Sequence, residues 1–306
     1  MKRKKSGIKL VILMFLLANM MLVNQFTAHA ALVVPKSRVW PGGIIPYVID
    51  ENVLPLGRQK IHKAIEEYHS NTSLHFVERN SENEHLYPDY KRFYYNENGY
   101  CNAGGNGFVS GETIINLNSI IECVAHPNGG DNGLRVIVHE LGHVVGLYHE
   151  NSRPDLWDYF TIDWSLVVDP ECPDRREVNL IGTALEGYDY FSIMSNVPPP
   201  CSVNEMGGPG WDYADPIDPD ISIYDVRMRG GSAKDIYKLS DGDKDGIAWL
   251  YGVGTDLNHD GEVDFVDYMV CMSIILGYSS DNGDVNGDGE TNLADLNSII
   301  VEVFTE

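Results

Sequence analysis

Apolar positions along the chain fall into short, separated runs. Ile44 to Ile49 is a compact apolar run behind Pro41-Gly42-Gly43 and reads as a strand leaving a turn. Arg58 to His69 places Ile61, Ile65 and Tyr68 at helical spacing, which predicts a helix with one buried face. Leu74 to Val77, Phe93 to Tyr95 and Ile114 to Leu117 are further short strand candidates. Leu134, Val136, Ile137, Leu141, Val144 and Val145 then make a helix apolar on more than one side, as a central helix should be. After His149 the chain turns irregular and Pro-rich, with Pro198-Pro199-Pro200 and a Trp211 to Pro219 loop. A last helix of this part is predicted over Gly246 to Tyr251. The order predicts an α+β fold, with a mixed sheet and a helix upstream, a loop-rich half downstream, and the apolar helix at the divide.

That helix carries the chemistry. His139 to Glu150 reads H-E-x-x-H-x-x-G-x-x-H-E. On a helix, His139 and His143 share one face and lie about 6 Å apart along the axis, so both imidazoles can reach one ion. Glu140 stands beside them, poorly placed as a ligand but able to hold an attacking water. Were the helix to continue, His149 would lie roughly 15 Å beyond His139 and off the shared face. It joins the other two only if the chain turns sharply, and Gly146 is the residue that accepts the left-handed backbone of such a turn. Three neutral nitrogens leave the fourth tetrahedral position open, which is the catalytic arrangement of zinc. The competing reading, structural histidines in a buried helix, leaves the placing of Glu140 and Gly146 without a reason. His62, His69, His75, His85 and His126 have no ligand spacing and read as surface or structural residues.

Length, charge and cysteines set the context. The 306 residues suffice for one large domain and a small one. Lys2, Arg3, Lys4 and Lys5 precede the apolar Ile8 to Val23 stretch and an Ala28-His29-Ala30 site, so residues 1–30 read as a secretory signal cleaved before Ala31. An uncleaved membrane anchor is the alternative. No later stretch is long and apolar enough to span a bilayer, so no membrane contact is expected after signal removal. The formal net charge is −23, and residues 1–30 contribute five basic groups and no acid, so the remainder is more acidic still. That excludes nucleic acid and anionic membranes as expected partners. In an exported chain, Cys101, Cys123, Cys172 and Cys201 suggest two disulfides with three connectivities open. Cys271 is left over in an apolar segment and reads as a buried thiol.

The acidity is concentrated late, and its spacing is regular. Asp256, Asn258, Asp260, Asp264 and Asp267 occupy positions 1, 3, 5, 9 and 12 of a loop with Gly261 at 6. Asp284, Asn286, Asp288, Asn292 and Asp295 repeat this 28 residues later, with Gly289. With backbone carbonyls of Glu262 and Glu290 at position 7, these are EF-hand-like loops for two structural calcium ions. The twelfth ligand is Asp rather than Glu, and Val253-Gly254-Thr255 and Asn282-Gly283 leave no room for entering helices. Exit helices are predicted near Asp267 to Leu276 and Asp295 to Phe304. The alternative is a disordered acidic tail. Asp241-Gly242-Asp243-Lys244-Asp245-Gly246 imitates a third loop, but Trp249 and Gly252 at positions 9 and 12 cannot coordinate. It reads as the turn and cap before the closing helix.

These segments resemble two known families. The zinc motif matches the metzincin signature, and with Glu150, Arg153 and Asp155 it resembles that of the astacins. Trp40 to Tyr47, Tyr188 to Met194, and Leu239-Ser240 with Asp245 and Leu250-Tyr251 are similar to the opening segment, Met-turn approach and closing helix of that family. The resemblance implies a two-lobed metzincin catalytic domain with a central zinc helix, zinc endopeptidase activity on a protein or peptide substrate, and Met194 packed beneath the zinc. It also implies a Cys101–Cys123 bridge, with Cys172–Cys201 as a local addition, and an Ala31 amine folded in near Glu150. Asn196 stands where the family has a tyrosine near the zinc, Leu147 replaces a phenylalanine, and Ser73 replaces a common cysteine. The duplicated loop-then-helix resembles a dockerin, which implies a small all-α calcium-binding module and a cohesin partner on a scaffold protein. Phe265-Val266 and Leu293-Ala294 occupy the loop positions where dockerins place recognition pairs.

The expectation is therefore residues 1–30 as signal peptide, 31–253 as an astacin-like peptidase domain, and 254–306 as a dockerin-like domain. One zinc is held by His139, His143 and His149, with Glu140 as catalytic base. The protein is expected outside the cell, on a scaffold at a bacterial surface. The alternative from another class is a non-catalytic, scaffold-docked peptide-binding module.

Overall fold

The computed structural model describes residues 31–122, 131–167, 181–185, 187–195, 202–203, 209–210, 214–221, 237–252, 257, 265–278, 283–285 and 291–305. The chain divides into two compact units, one spanning Ala28–Tyr251 and one that holds Gly252–Glu306.

The first unit is built in chain order from β1 (Leu32–Val33), β2 (Ile44–Ile49), α1 (Pro55–His69), β3 (His75–Glu78), β4 (Tyr90–Tyr95), β5 (Glu112–Leu117), α2 (Asn132–Val145), β6 (Phe160–Ile162), β7 (Thr183–Ala184), β8 (Ser202–Val203), β9 (Pro209–Gly210), β10 (Ala214–Pro216) and α3 (Asp241–Tyr251). The main sheet has the order β3-β2-β4-β5, and every pairing in it is parallel. A parallel return needs a crossover, and α1 supplies it between β2 and β3. The sequence pattern predicts a mixed sheet. Among the described residues, antiparallel pairing next to this sheet is confined to one bridge, Asn102 to Asn116, on the outer side of β5. Three two-stranded antiparallel pairs, β1-β7, β6-β10 and β8-β9, make up the other described strands.

Local chemistry fixes the helices. Pro55 at the first position starts α1 three residues before the periodic stretch, since proline needs no amide partner there. The Asp131 carboxylate caps α2 by accepting the Leu134 amide at 3.0 Å, and the Lys60 ammonium holds the same oxygen at 2.8 Å. The Tyr68 hydroxyl donates to the Val138 carbonyl at 2.8 Å, so α1 is fastened along α2. Helix α3 begins at Asp241 rather than Gly246 because Ser240 and Asp243 form a reciprocal capping box. The Ser240 hydroxyl accepts the Asp243 amide at 3.0 Å, and the Asp243 carboxylate accepts the Ser240 amide at 2.9 Å. The whole acidic Asp241–Gly246 stretch is therefore helix rather than turn.

Ile45, Phe93, Ile115 and Leu117 from the sheet close the core against Ile61 and Ala64 of α1 and Ile137 and Leu141 of α2, all fully buried. Ile247 and Leu250 of α3 join the same cluster. The zinc helix is thus the central layer, and its position is set from both sides.

In the second unit, α4 (Phe265–Ile275) and α5 (Leu293–Thr305) each begin two residues earlier than the spacing predicts. At α5 the reason is another capping box: Asn292 accepts the Ala294 amide at 2.8 Å, and Asp295 accepts the Asn292 amide at 2.8 Å. Cys271 and Ile299, related by the 28-residue repeat, are both fully buried and pack with Val285 and Leu296. Among the described residues no helix is long and apolar enough to cross a membrane.

Candidate metal centre

Helix α2 stops where Gly146 takes a left-handed conformation, φ 108° and ψ 13°, and its amide closes onto the Gly142 and His143 carbonyls. A side chain here is excluded twice. The backbone angle disfavours one, and a Cβ would lie 2.7 Å from the Val34 side chain. The turn brings His149 back to the helix. Its Nε2 stands 3.1 Å from His139 Nε2 and 3.1 Å from His143 Nε2.

The opposite ring nitrogens show which way the lone pairs face. His139 Nδ1 donates to the Ile193 carbonyl at 2.8 Å, and His143 Nδ1 donates to the Leu147 carbonyl at 2.9 Å. A carbonyl only accepts, so both rings carry their proton on Nδ1 and turn a bare Nε2 inward. Burial drives both imidazoles toward the neutral form, holding His143 down to about 4 and His139 well below its ordinary value. Nitrogen ligands at 2.0–2.1 Å from a tetrahedral ion stand roughly 3.3 Å apart, which the observed spacing nearly matches. The donor set therefore fits zinc. Among the described residues this is the one group of three or more such side chains within reach of a shared ion.

Glu140 is buried beside the triad, and desolvation lifts its carboxyl to about 7. It faces a cavity of about 360 Å³ together with the three histidines, Tyr148 and Ser152. The facing wall is the segment Cys101 to Asn106. Sequence reasoning assigned neither this wall nor Tyr148 a functional place. The sequence signals were the Gly104-Gly105 pair, which takes φ 64° and 124° in the structure, and the position of Tyr148 directly before His149.

The floor is Met194, 1% exposed, whose sulfur packs so closely under Gly142 that a Cβ there would meet it at 2.3 Å. The residues that follow His149 brace this floor. The Glu150 amide donates to the Met194 carbonyl at 3.2 Å. The buried Glu150 carboxylate accepts the Leu32 amide at 3.1 Å, the Asp189 amide at 3.3 Å and the Arg153 guanidinium at 3.2 Å. Burial pushes this carboxyl up and Arg153 opposes the shift. Arg153 in turn forks onto Asp155, with both contacts at 2.9 Å.

His139, His143, His149 and Glu140 thus come together as the spacing predicted. Asn196 lies outside the described residues, as do Cys123, Cys172 and Cys201. Cys101, which the resemblance pairs with Cys123, instead carries a free thiol whose sulfur accepts the Asn118 amide at 3.4 Å, and Cys271 is a buried free thiol as expected. In the second unit, Asp267 and Asp295 are fully buried, and each accepts the amide of the residue at loop position 2, Leu257 at 2.7 Å and Val285 at 2.8 Å. Asp284 is buried and Asn292 caps α5. Asp256, Asn258, Asp260, Glu262 and Asp264 of the first loop, and Asn286, Asp288 and Glu290 of the second, lie outside the described residues.

Comparison with known proteins places the chain in a family. Residues 33–206 match the peptidase family described as Astacin, and residues 254–303 match the Dockerin type I domain. The first match covers more than half of the chain, and the chain belongs to the astacin family, with a dockerin-like module at its C-terminus. Zinc metalloproteinase nas-4 of Caenorhabditis elegans is 32% identical over 53% of this chain and 47% of its own length. Zinc metalloproteinase nas-13 of the same organism is 30% identical over 66% and 40%. Human Tolloid-like protein 1 is 32% identical over 51% and 14%. The chain thus spans less than half the length of these relatives. High choriolytic enzyme 1, a hatching enzyme zinc-protease from Oryzias latipes, is similar over 70% of this chain and 94% of that one, with 24% identity and a TM-score of 0.47.

Proposed function

We propose that this protein is an exported zinc endopeptidase that docks to a scaffold through a calcium-loaded module. The observation that carries the reading is the inward convergence of His139, His143 and His149 Nε2 with the Glu140 carboxylate in one cavity. These three nitrogens would hold one zinc. Bound there, zinc supplies Lewis acidity toward the scissile carbonyl. Glu140 takes a proton from the attacking water and passes it to the departing amine nitrogen. Its carboxyl, lifted by burial to about 7, is matched to both halves of that transfer near neutral pH. The carbonyls of Ile193 and Leu147 keep the His139 and His143 rings in register.

In this reading residues 1–30 are removed as a signal peptide, and residues 31–253 form a two-lobed peptidase domain around the cavity. The Leu32 amide on Glu150 supports a chain start at Ala31 that folds in at the same carboxylate. Residues 254–306 form an all-α module with two calcium ions that engages a cohesin outside the cell. The matching burial of Asp267 and Asp295 supports two equivalent loops. The loops take Asp256, Asn258, Asp260, Glu262, Asp264 and Asp267, and Asp284, Asn286, Asp288, Glu290, Asn292 and Asp295, as ligands.

Asn196, in place of the family tyrosine, favours a second reading as a peptide-binding module without turnover. Cleavage of a peptide library, abolished by a zinc chelator and restored by zinc, decides between them. Binding without cleavage in zinc-loaded protein would replace the first reading by the second.

A further inference from the structure

Lys91 is the second residue of β4, on the face it shares with Phe93, a position where strand alternation calls for an apolar side chain. It is only 1% exposed. Among the described residues no carboxylate pairs with it. Burial pushes its ammonium down to about 8, and Arg38, a charge of the same sign, adds to that shift. Placing a cation here opposes folding, so its contacts are informative.

The Lys91 ammonium donates to the Ala103 carbonyl at 3.4 Å and stands 5.9 Å from the centre of the Trp40 ring. Trp40 is itself hydrogen-bonded to the zinc helix, from its indole nitrogen to the Val144 carbonyl at 2.9 Å. Ala103 belongs to the Cys101–Asn106 wall that faces Glu140 across the cavity. That wall is fastened at its ends. Asn102 exchanges backbone hydrogen bonds with Asn116 at 3.0 and 2.9 Å, and the Gly107 amide meets the His143 carbonyl at 2.8 Å. Between them lie Gly104 and Gly105, both with positive φ, and Gly104 passes so close to β5 that a Cβ would meet the Ile114 oxygen at 2.3 Å. A stretch of this composition has little stiffness of its own.

We propose that Lys91 is a positioning residue: by holding the Ala103 carbonyl it fixes the glycine-rich wall against which an extended peptide lies. This rests on the cavity being a peptide site. The core thus gives up an apolar position so that the substrate side keeps one shape.

The test is Lys91→Met in the full zinc-loaded chain, a change that keeps the stem volume and removes the donor. Expected are unchanged zinc content, a Tm equal to or above wild type, kcat within about twofold, and KM raised roughly tenfold, the scale of one hydrogen bond to a charged group. Lys91→Arg, which keeps a cationic donor, should return KM toward the wild-type value. The same comparison is made as peptide Kd in the Glu140→Gln background, where no turnover is needed. A wild-type KM and Kd in Lys91→Met overturns the proposal. So does a joint fall of Tm, zinc content and kcat, or a failure to fold, if Lys91→Arg then shows the raised KM as well. Wild-type protein that binds peptide but never cleaves it overturns the catalytic reading alone, because the Kd comparison still stands.

Discussion

The Asp243 carboxylate accepts the Ile193 amide at 2.7 Å, while the Ile193 carbonyl accepts Nδ1 of His139, one of the three convergent histidines, at 2.8 Å. Asp243 also accepts the Ser192 hydroxyl at 2.6 Å, and Ser240 beside it bonds the Asp189 carboxylate. The closing helix therefore steers the His139 ring through the backbone of one residue, Ile193. Asp243→Ala strands a buried amide and hydroxyl and should lower unfolding free energy by about 2–4 kcal/mol. Zinc affinity should fall about 10–100-fold as the His139 ring loses its brace. Urea denaturation and competitive chelator titration measure the two effects, and unchanged zinc affinity in a destabilised variant would break the proposed link.

Glu140→Gln and His143→Ala should part company in metal content. The glutamine keeps shape and hydrogen bonding without the base, so zinc stays near one per chain while peptide hydrolysis falls by roughly 10²–10⁴. His143→Ala leaves two imidazoles and should lose the metal itself. Metal analysis with turnover assays checks both, and full turnover in Glu140→Gln would remove Glu140 from the role of base.

Lys91 makes stability depend on pH in a direction opposite to a salt-bridged lysine. Its folded pKa of about 8 lies below the ordinary value of 10.5, so between those values the unfolded chain binds the extra proton and stability rises with pH. The burial cost, on the order of 3 kcal/mol, is complete below pH 8 and is relieved as pH rises toward 10.5. Lys91→Met should therefore be more stable than wild type at pH 7, with the gap closing by pH 10. Denaturation midpoints at the two values test this, and a constant gap would contradict it.

Residues 254–306 carry twelve acidic side chains and no Lys or Arg. Without cations this segment repels itself, and the buried Asp267 and Asp295 carboxylates lose their counter-charge. A calcium-selective chelator should expose this region of the intact chain to proteolysis while zinc-dependent cleavage continues. Retained calcium is expected at two per chain. Equal resistance with and without calcium would argue against metal-dependent folding here.

Much of the site was legible because its parts are local. The three convergent histidines, Glu140 and the turn glycine lie within the stretch from His139 to His149, and helical spacing alone places most of them. The cavity wall was not legible, because Cys101–Asn106 reaches the zinc helix through pairing with Asn116 and His143, which leaves no periodic trace. Two-residue strands such as Leu32–Val33 and Thr183–Ala184 are too short to show alternation. The start of α3 was hidden by a string of turn-forming residues, although the Ser240 and Asp243 spacing carried the capping signal.

The brace on Met194 has a kinetic consequence. Its carbonyl meets Glu150, Glu150 meets Leu32 near the start of the described chain, and the turn before it is tied to Asp243 in the last helix of the unit. These contacts close loops of 118 and 50 residues, and long loops form late in folding. Until they close, His139 lacks its partner at Ile193. High-affinity zinc capture should then coincide with the final docking of both ends of the unit, so a half-folded chain would hold the metal poorly.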